Sequence, residues 1–105
     1  MKGVKHDQGK PRFDLVDAAW HEEVARVLTF GAFKYEPHNW RKGIAYSRLI
    51  AATERHINAI KKGETHDLET GLLHAAHASC CLMFLSNFQL HEGNNQGLLN
   101  DLPTL

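Results

Sequence analysis

Apolar side chains recur along the chain at intervals of three and four residues, the spacing that gives an α-helix one buried face. The first run predicts a helix from about Val16 to Phe33, and either Asp14 or Asp17 is suited to cap its N-terminus. The positions on its apolar face are Trp20, Val24, Val27, Leu28 and Gly31. The next segment, KYEPHNWRKG, is predicted as a loop because Pro37 and Gly43 break helical continuity.

A second helix is predicted to begin after Ser47, as its N-cap, and to stop near Gly63. Lys61 and Lys62 would occupy its last turn, where positive charge suits the helix dipole. The positions on its apolar stripe are Leu49, Ile50, Thr53, His56, Ile57 and Ile60. This stripe predicts that one face of helix two packs against another helix.

A third helix is predicted after the acidic link GETHDLET, and it runs to about His91, before Gly93 and the segment NNQG. The stretch DLETGLLHAAHASCC is interpreted as a core helix whose polar residues face a site between helices. The positions on one face of this helix are Leu73, His74, His77, Ala78, Cys81, Leu85 and Phe88. No repeat or β-alternation is convincing, so the predicted fold is all-α, a small bundle of three main helices.

The chain of 105 residues predicts one domain over residues 1–105, with an N-terminal arm at 1–14 and a C-terminal tail at 93–105. Three helices make a thin core, which favours a homodimer or higher homo-oligomer. In the dimer, helices two and three of both copies would form a four-helix arrangement. Leucines of the tail would cover a groove or a neighbouring subunit.

Composition narrows the class of protein. With 43% hydrophobic residues and no long apolar run, the sequence predicts a soluble protein with no membrane partner. The N-terminus lacks the apolar segment of a secretory signal, which predicts a cytoplasmic protein, in the host cytoplasm if the gene is of phage origin. The formal net charge of zero argues against a duplex nucleic-acid partner.

Eight histidines are the compositional outlier, and histidine is the commonest side chain for metal ligation and proton transfer near neutral pH. Helical spacing places His74 and His77 on one side of helix three, opposite His56 of helix two. The predicted metal ligands are Glu23, His56, Glu69, His74 and His77. Such donors suit a divalent ion, Mg²⁺, Mn²⁺ or Zn²⁺. The alternative is that the histidines are hydrogen-bonded core residues.

A second group of residues is basic and aromatic. Its cations could hold phosphates, while its aromatic and amide groups could stack on and read an unpaired nucleobase. The predicted substrate-binding residues are Lys10, Arg12, Lys34, Tyr35, Asn39, Trp40, Arg48 and Arg55. The alternative is a solvated charged face with Trp40 as a core anchor.

Long strings of the sequence resemble a known family. The strings HDQGKPRFDL, EVARVLTFGAFKYEPHNWRKG and SRLIAATERHINAIKKGETHDLETGLLHAAHASCCLMFL are similar to the phage-associated dATP/dGTP diphosphohydrolase N-terminal domain, over roughly residues 5–88. The resemblance implies release of pyrophosphate from a purine deoxynucleoside triphosphate, and it loosely implies kinship with the all-α MazG-like pyrophosphohydrolases. The resemblance does not assign individual roles. The predicted catalytic residues are Glu23, His56, Asp67 and Glu69.

The MazG-like Mg²⁺ cage pairs an ExxE with an ExxD motif, whereas here Glu22 and Glu23 are adjacent and the later segment reads ETGLLH. Three explanations stay open: a metal site rebuilt with histidines, a looser kinship, or nucleotide binding without cleavage. The leading hypothesis is a metal-dependent nucleotide pyrophosphohydrolase. The alternatives are a non-catalytic module of phage origin that binds a nucleotide or a partner, and a purely structural bundle.

Overall fold

The computed structural model describes residues 2–95 and 97–104 of the chain. Its helices are α1 (Ala18–Lys34), α2 (Tyr46–Lys61), α3 (His74–Leu90) and the short α4 (Glu92–Asn95), with 3-10 turns at Phe13–Leu15 and Asn39–Lys42. Within the described residues there is no strand, only an isolated antiparallel bridge between His66 and Leu73. The predicted all-α fold with three long helices is therefore confirmed. None of the described helices combines the length and the apolarity needed to cross a membrane.

The start of α1 follows from a local capping signal. The Asp17 side chain accepts a hydrogen bond from the backbone N–H of Trp20 at 2.8 Å, which satisfies one of the unpaired amides at the helix start. The other predicted cap, Asp14, instead forms an ion pair with Arg12. Asp17 is thus the N-cap, and α1 ends at Lys34, one residue beyond the predicted end.

The start of α2 differs from the prediction, because Ser47 is not its N-cap. The helix begins at Tyr46, and Ala45 in the cap position offers no side-chain hydrogen bond. The C-terminal tail supplies the missing acceptors: Asp101 accepts hydrogen bonds from the N–H and the hydroxyl of Ser47, and the Leu99 carbonyl accepts the Tyr46 N–H at 2.9 Å. The tail therefore docks on its own chain and caps α2.

The interpretation of DLETGLLHAAHASCC as a helix is wrong for the part before His74. Residues 67–73 form a loop in which Asp67 Oδ1 accepts the N–H groups of Glu69 and Thr70, at 2.9 and 3.0 Å. Gly71 follows with a φ of +73°, a conformation that favours glycine. A loop rather than a helix therefore positions Asp67 and Glu69. At its far end α3 stops at Leu90, and the predicted terminator Gly93 lies inside α4.

The core forms on both sides of α3. On one side Val27 of α1 packs against Ala76 and Cys80, and on the other Tyr46 and Leu49 of α2 pack against Phe88. The predicted stripe of α2 is buried only in its first half, since Ile57 and Ile60 stay 42% and 43% exposed. Both α1 and α2 pack on α3, and a cleft opens between α1, the loop that follows it and α3. The homo-oligomer stays a prediction.

We expect Asp101→Ala to lower the melting temperature by a few degrees at neutral pH, because the N-terminus of α2 loses its cap. The hydroxyl of Ser47, and then its amide, lower the pKa of Asp101 below its ordinary value. A depressed folded pKa means that the stabilisation is present above the ordinary value and is lost as the pH falls through the lower folded value. Melting curves should therefore differ at pH 7 and converge in strong acid. Asp7→Ala, at an exposed position in the arm, is the control. A difference that persists in acid would contradict the capping role.

Candidate functional site

A cleft of about 720 Å³ opens between the second half of α1, the loop of residues 35–41 and α3. Its volume falls in the usual range of small-molecule pockets, roughly 300–1,000 Å³. One end is formed by His56 of α2, His77 of α3 and the loop residues Asp67, Glu69 and Thr70. The cleft thus joins a polar end to a mostly apolar wall.

The apolar wall is built around Trp40. Its ring stacks on Phe84 of α3, with centroids 4.7 Å apart and planes 20° from parallel, and it meets Phe88 edge-on. The guanidinium carbon of Arg41 lies 4.5 Å from the centroid of the Trp40 ring. Tyr35, at the start of the same loop, is 64% exposed and also lines the cleft. Phe84 and the Arg41 guanidinium therefore cover the two faces of the Trp40 ring, and Tyr35 is the ring of the wall that is open to a stacking partner.

Three imidazoles cluster at the polar end. The Nδ1 atoms of His56 and His74 lie 2.9 Å apart, so one proton is shared between them. His56 also stacks on His77, with centroids 4.8 Å apart and planes only 7° from parallel. His74 is the first residue of α3 and is buried, with 6% of its surface exposed. The predicted pairing of helix two with helix three therefore brings these side chains together.

Protonation of His56 and His77 is disfavoured. Burial, and then the neighbouring imidazoles of His77 and His74, lower the pKa of His56. Burial also lowers the pKa of His77, although the Asp67 carboxylate acts in the opposite direction. Near neutral pH both rings are therefore neutral, the form in which an imidazole nitrogen can donate a lone pair. The Nε2 atom of His77 is already engaged, because it lies 2.7 Å from the hydroxyl of Thr70.

Asp67 is held as a carboxylate. Burial acts to raise its pKa, but hydrogen bonds from the amides of Thr70 and Glu69, together with the nearby imidazoles, lower the pKa overall. Both amides bond to the same oxygen, Oδ1, which leaves Oδ2 available for another partner. The loop thus fixes the orientation of a charged oxygen beside two neutral histidines.

His56, Asp67 and His74 form a candidate metal site. One ligand atom from each lies within 4.8 Å of the others. The Nδ1 atoms of His56 and His74 face each other at 2.9 Å, where a cation could take the place of the hydrogen-bonded proton. Two nitrogens and a carboxylate oxygen are a donor set typical of Mn²⁺ or Zn²⁺ sites. The residues present therefore fit a divalent transition-metal ion.

Many of the predicted site residues line one cleft. Those are Lys34, Tyr35, Asn39, Trp40, His56, Asp67, Glu69 and His77, and His74 lies beside it. Glu69 forms an ion pair with Lys34 at 3.1 Å. Glu23 instead pairs with Arg26, outside the cleft.

The predicted cations of the arm and of α2 do not line the cleft. Lys10 and Arg12 lie in the exposed N-terminal arm, and Arg48 and Arg55 are exposed on α2. Their roles in binding stay predictions, as does the role of Glu23.

Arg41 and Thr70 are among the polar residues of the cleft that the sequence did not indicate. Arg41 directly follows Trp40, a predicted substrate-binding residue, so its position in the sequence indicates a place near the same site. Thr70 had no such signal, because its contact with His77 depends on the loop conformation that follows Asp67.

Comparison with known proteins gives one family and one relative. The family profile described as "dATP/dGTP diphosphohydrolase, N-terminal" matches residues 1–97. A protein of Salmonella phage PMBT28 named "dATP/dGTP diphosphohydrolase" is 49% identical over 104 residues, which make up 99% of this chain and 32% of that relative. The chain therefore spans about a third of the length of the curated relative that it matches. No solved structure matches it.

Proposed function

The chain belongs to the dATP/dGTP diphosphohydrolase N-terminal family, and from this premise we propose that its cleft binds and hydrolyses a purine deoxynucleoside triphosphate. The products would be the monophosphate and pyrophosphate, and a divalent metal ion would be required. The observation that carries the proposal is the layout of the cleft. A donor set of His56, Asp67 and His74 lies at one end, and the aromatic wall around Trp40 lines the other part.

The aromatic wall suits the base of the nucleotide. Trp40 is fixed by its stacking on Phe84, and a base would stack on its other face in place of the Arg41 guanidinium. Tyr35 is exposed and free to lie against a second ring face, and the Asn39 amide offers a donor and an acceptor to a base edge. Stacking on such rings contributes about 1–3 kcal/mol per base.

The polar end suits the phosphates. His56, Asp67 and His74 would hold the divalent ion, which would polarise a phosphoryl oxygen and lower the pKa of a bound water. Lys34 places one positive charge at the mouth of this end, and its partner Glu69 is a carboxylate within the cleft. Glu69 would accept a proton from the attacking water. The water oxygen would bond to the α-phosphorus, and the bond from that phosphorus to the oxygen that bridges to the β-phosphorus would break, so that pyrophosphate leaves with that oxygen.

The first test is a screen of the metal-stripped chain with dATP, dGTP, dCTP and dTTP, each with Mg²⁺, Mn²⁺, Zn²⁺ or Co²⁺. We expect monophosphate and pyrophosphate from the purine nucleotides only when an ion is present, and we expect loss of turnover when a chelator is added. Chromatography of the nucleotides and a pyrophosphate assay measure both products. Turnover that is unchanged by chelation would overturn the metal requirement.

A second candidate function is nucleotide binding without hydrolysis. Two observations favour it: the chain spans about a third of its relative, and the cations that line the described cleft are Lys34, already paired with Glu69, and Arg41. A triphosphate carries more negative charge than these two groups offset. Binding of dATP or dGTP that survives chelation, with no product from any combination in the screen, would establish this alternative.

A further inference from the structure

We propose that Glu64 is a positioning residue that holds His74 in the orientation and tautomer needed to bind the metal ion. This inference rests on the metal site of the proposed function. The observation behind it is the buried Nε2 atom of His74, which has no hydrogen-bond partner in the described part of the chain. A carboxylate lies near that atom, because Oε2 of Glu64 is 3.5 Å away.

The backbone brings Glu64 to this ring. Gly63 ends the turn after α2 with a φ of +96°, and the N–H of Glu64 then bonds back to the Ala59 carbonyl at 3.0 Å. Next, the carbonyl of Thr65 accepts the N–H of His74 at 3.0 Å. Glu64 is therefore tied to the end of α2, and its neighbour in sequence is tied to the start of α3.

The chemistry of the ring then assigns Glu64 a role. His74 turns its Nδ1 toward His56, so an ion that displaced the proton between the two rings would bind His74 through Nδ1. A neutral imidazole that donates its Nδ1 lone pair must carry its proton on Nε2. A carboxylate that accepts this proton fixes the tautomer and makes the ligating nitrogen more basic.

The 3.5 Å separation is an ion-pair distance and does not meet hydrogen-bond geometry, which explains why Nε2 is unpaired although Glu64 is near. The Glu64 side chain is 53% exposed, so it can move toward the ring without repacking the core. We expect it to close on Nε2 when an ion occupies the site. His77 has a different support, the hydroxyl of Thr70 at its Nε2.

The test compares Mn²⁺ and Zn²⁺ titrations of the metal-stripped wild-type chain, Glu64→Gln and the control Glu54→Gln, which alters an exposed glutamate of α2. We expect Glu64→Gln to weaken the affinity for both ions by about 10–100-fold, the usual effect of losing such a partner. Glu54→Gln should bind as the wild type does, and all three melting temperatures should agree within a few degrees, because both positions are exposed.

A spectroscopic readout separates positioning from a structural effect. Long-range ¹H–¹⁵N correlation spectra report which ring nitrogen of each histidine carries the proton. With Zn²⁺ bound, the wild-type His74 should be protonated at Nε2, and the population of this tautomer should fall in Glu64→Gln. Wild-type affinity and an unchanged tautomer in Glu64→Gln would overturn this inference and leave the metal site standing. Absence of any ion binding by the wild type would overturn the metal site and this inference together.

Discussion

Replacement of Asp67 by asparagine is expected to reduce pyrophosphate release from dATP and dGTP by on the order of 100-fold or more, since it removes a charged metal ligand rather than a supporting partner. Asparagine keeps an oxygen at the Oδ1 position, so it can still accept the amides of Glu69 and Thr70 that shape the loop. It replaces the free carboxylate oxygen by an NH₂ group, which carries hydrogens and cannot bind a cation. The loop should therefore survive while the ligand is lost.

Two measurements check this expectation. Initial rates with saturating metal should fall in Asp67→Asn, and the affinity of the metal-stripped chain for Mn²⁺ or Zn²⁺ should fall with them. Asp7→Asn, at an exposed position in the N-terminal arm, is the matched control and should change neither quantity. Full turnover by Asp67→Asn would remove Asp67 from the site and leave the two histidines without an acidic partner.

Features encoded by neighbouring residues could be predicted from the sequence. Asp17 caps α1 by accepting a hydrogen bond from the backbone amide three residues later. Gly63 adopts a positive φ just after α2, which ends the helix there. The encounter of His56 with His74 also followed from local periodicity, because it required only that helices two and three be neighbours. Short-range rules suffice where the partner lies within a helical turn or on a facing stripe.

Features that depend on distant residues could not be predicted. Ser47 has a side chain suited to an N-cap, yet α2 begins before it, at Tyr46. Asp101, 54 residues away, accepts hydrogen bonds from Ser47 and caps the helix instead. The link GETHDLET covers the first part of the loop, but Leu72 and Leu73 continue the helical period of α3 backwards, which favours a helix that begins before its actual start at His74. In both places a specific hydrogen bond outweighs the intrinsic helix propensity of the residues, which is worth less than about 1 kcal/mol per residue.

The same loop explains why the candidate site differs from the predicted set of ligands. A helix through Glu69 would have carried its carboxylate toward the face of His77 but just over two turns away, since the two residues are eight positions apart. The loop instead turns Asp67 toward the histidines and directs Glu69 to Lys34. The acidic partner of the imidazoles is therefore Asp67, a residue that the sequence placed among the catalytic candidates and not among the ligands.

The largest expected effect on stability is that of Phe88→Ala. Phe88 is 5% exposed and packs with Tyr46 and Leu49, so its removal leaves a cavity between α2 and α3. Loss of a buried phenylalanine costs about 3–5 kcal/mol, a large part of the roughly 5–15 kcal/mol that stabilises a typical domain. Urea denaturation followed by far-UV circular dichroism should show a midpoint that falls sharply.

Phe33→Ala is the matched control, because the same side chain is removed from a position that is 89% exposed. Within an isolated chain this substitution should change the free energy of unfolding by no more than about 0.5 kcal/mol. A loss comparable to that of Phe88→Ala would contradict this expectation. If such a loss appeared only at high protein concentration, it would show that Phe33 is covered by a second copy, since association makes stability depend on concentration. The pair of variants therefore measures the packing of α2 on α3 and also tests the predicted homo-oligomer.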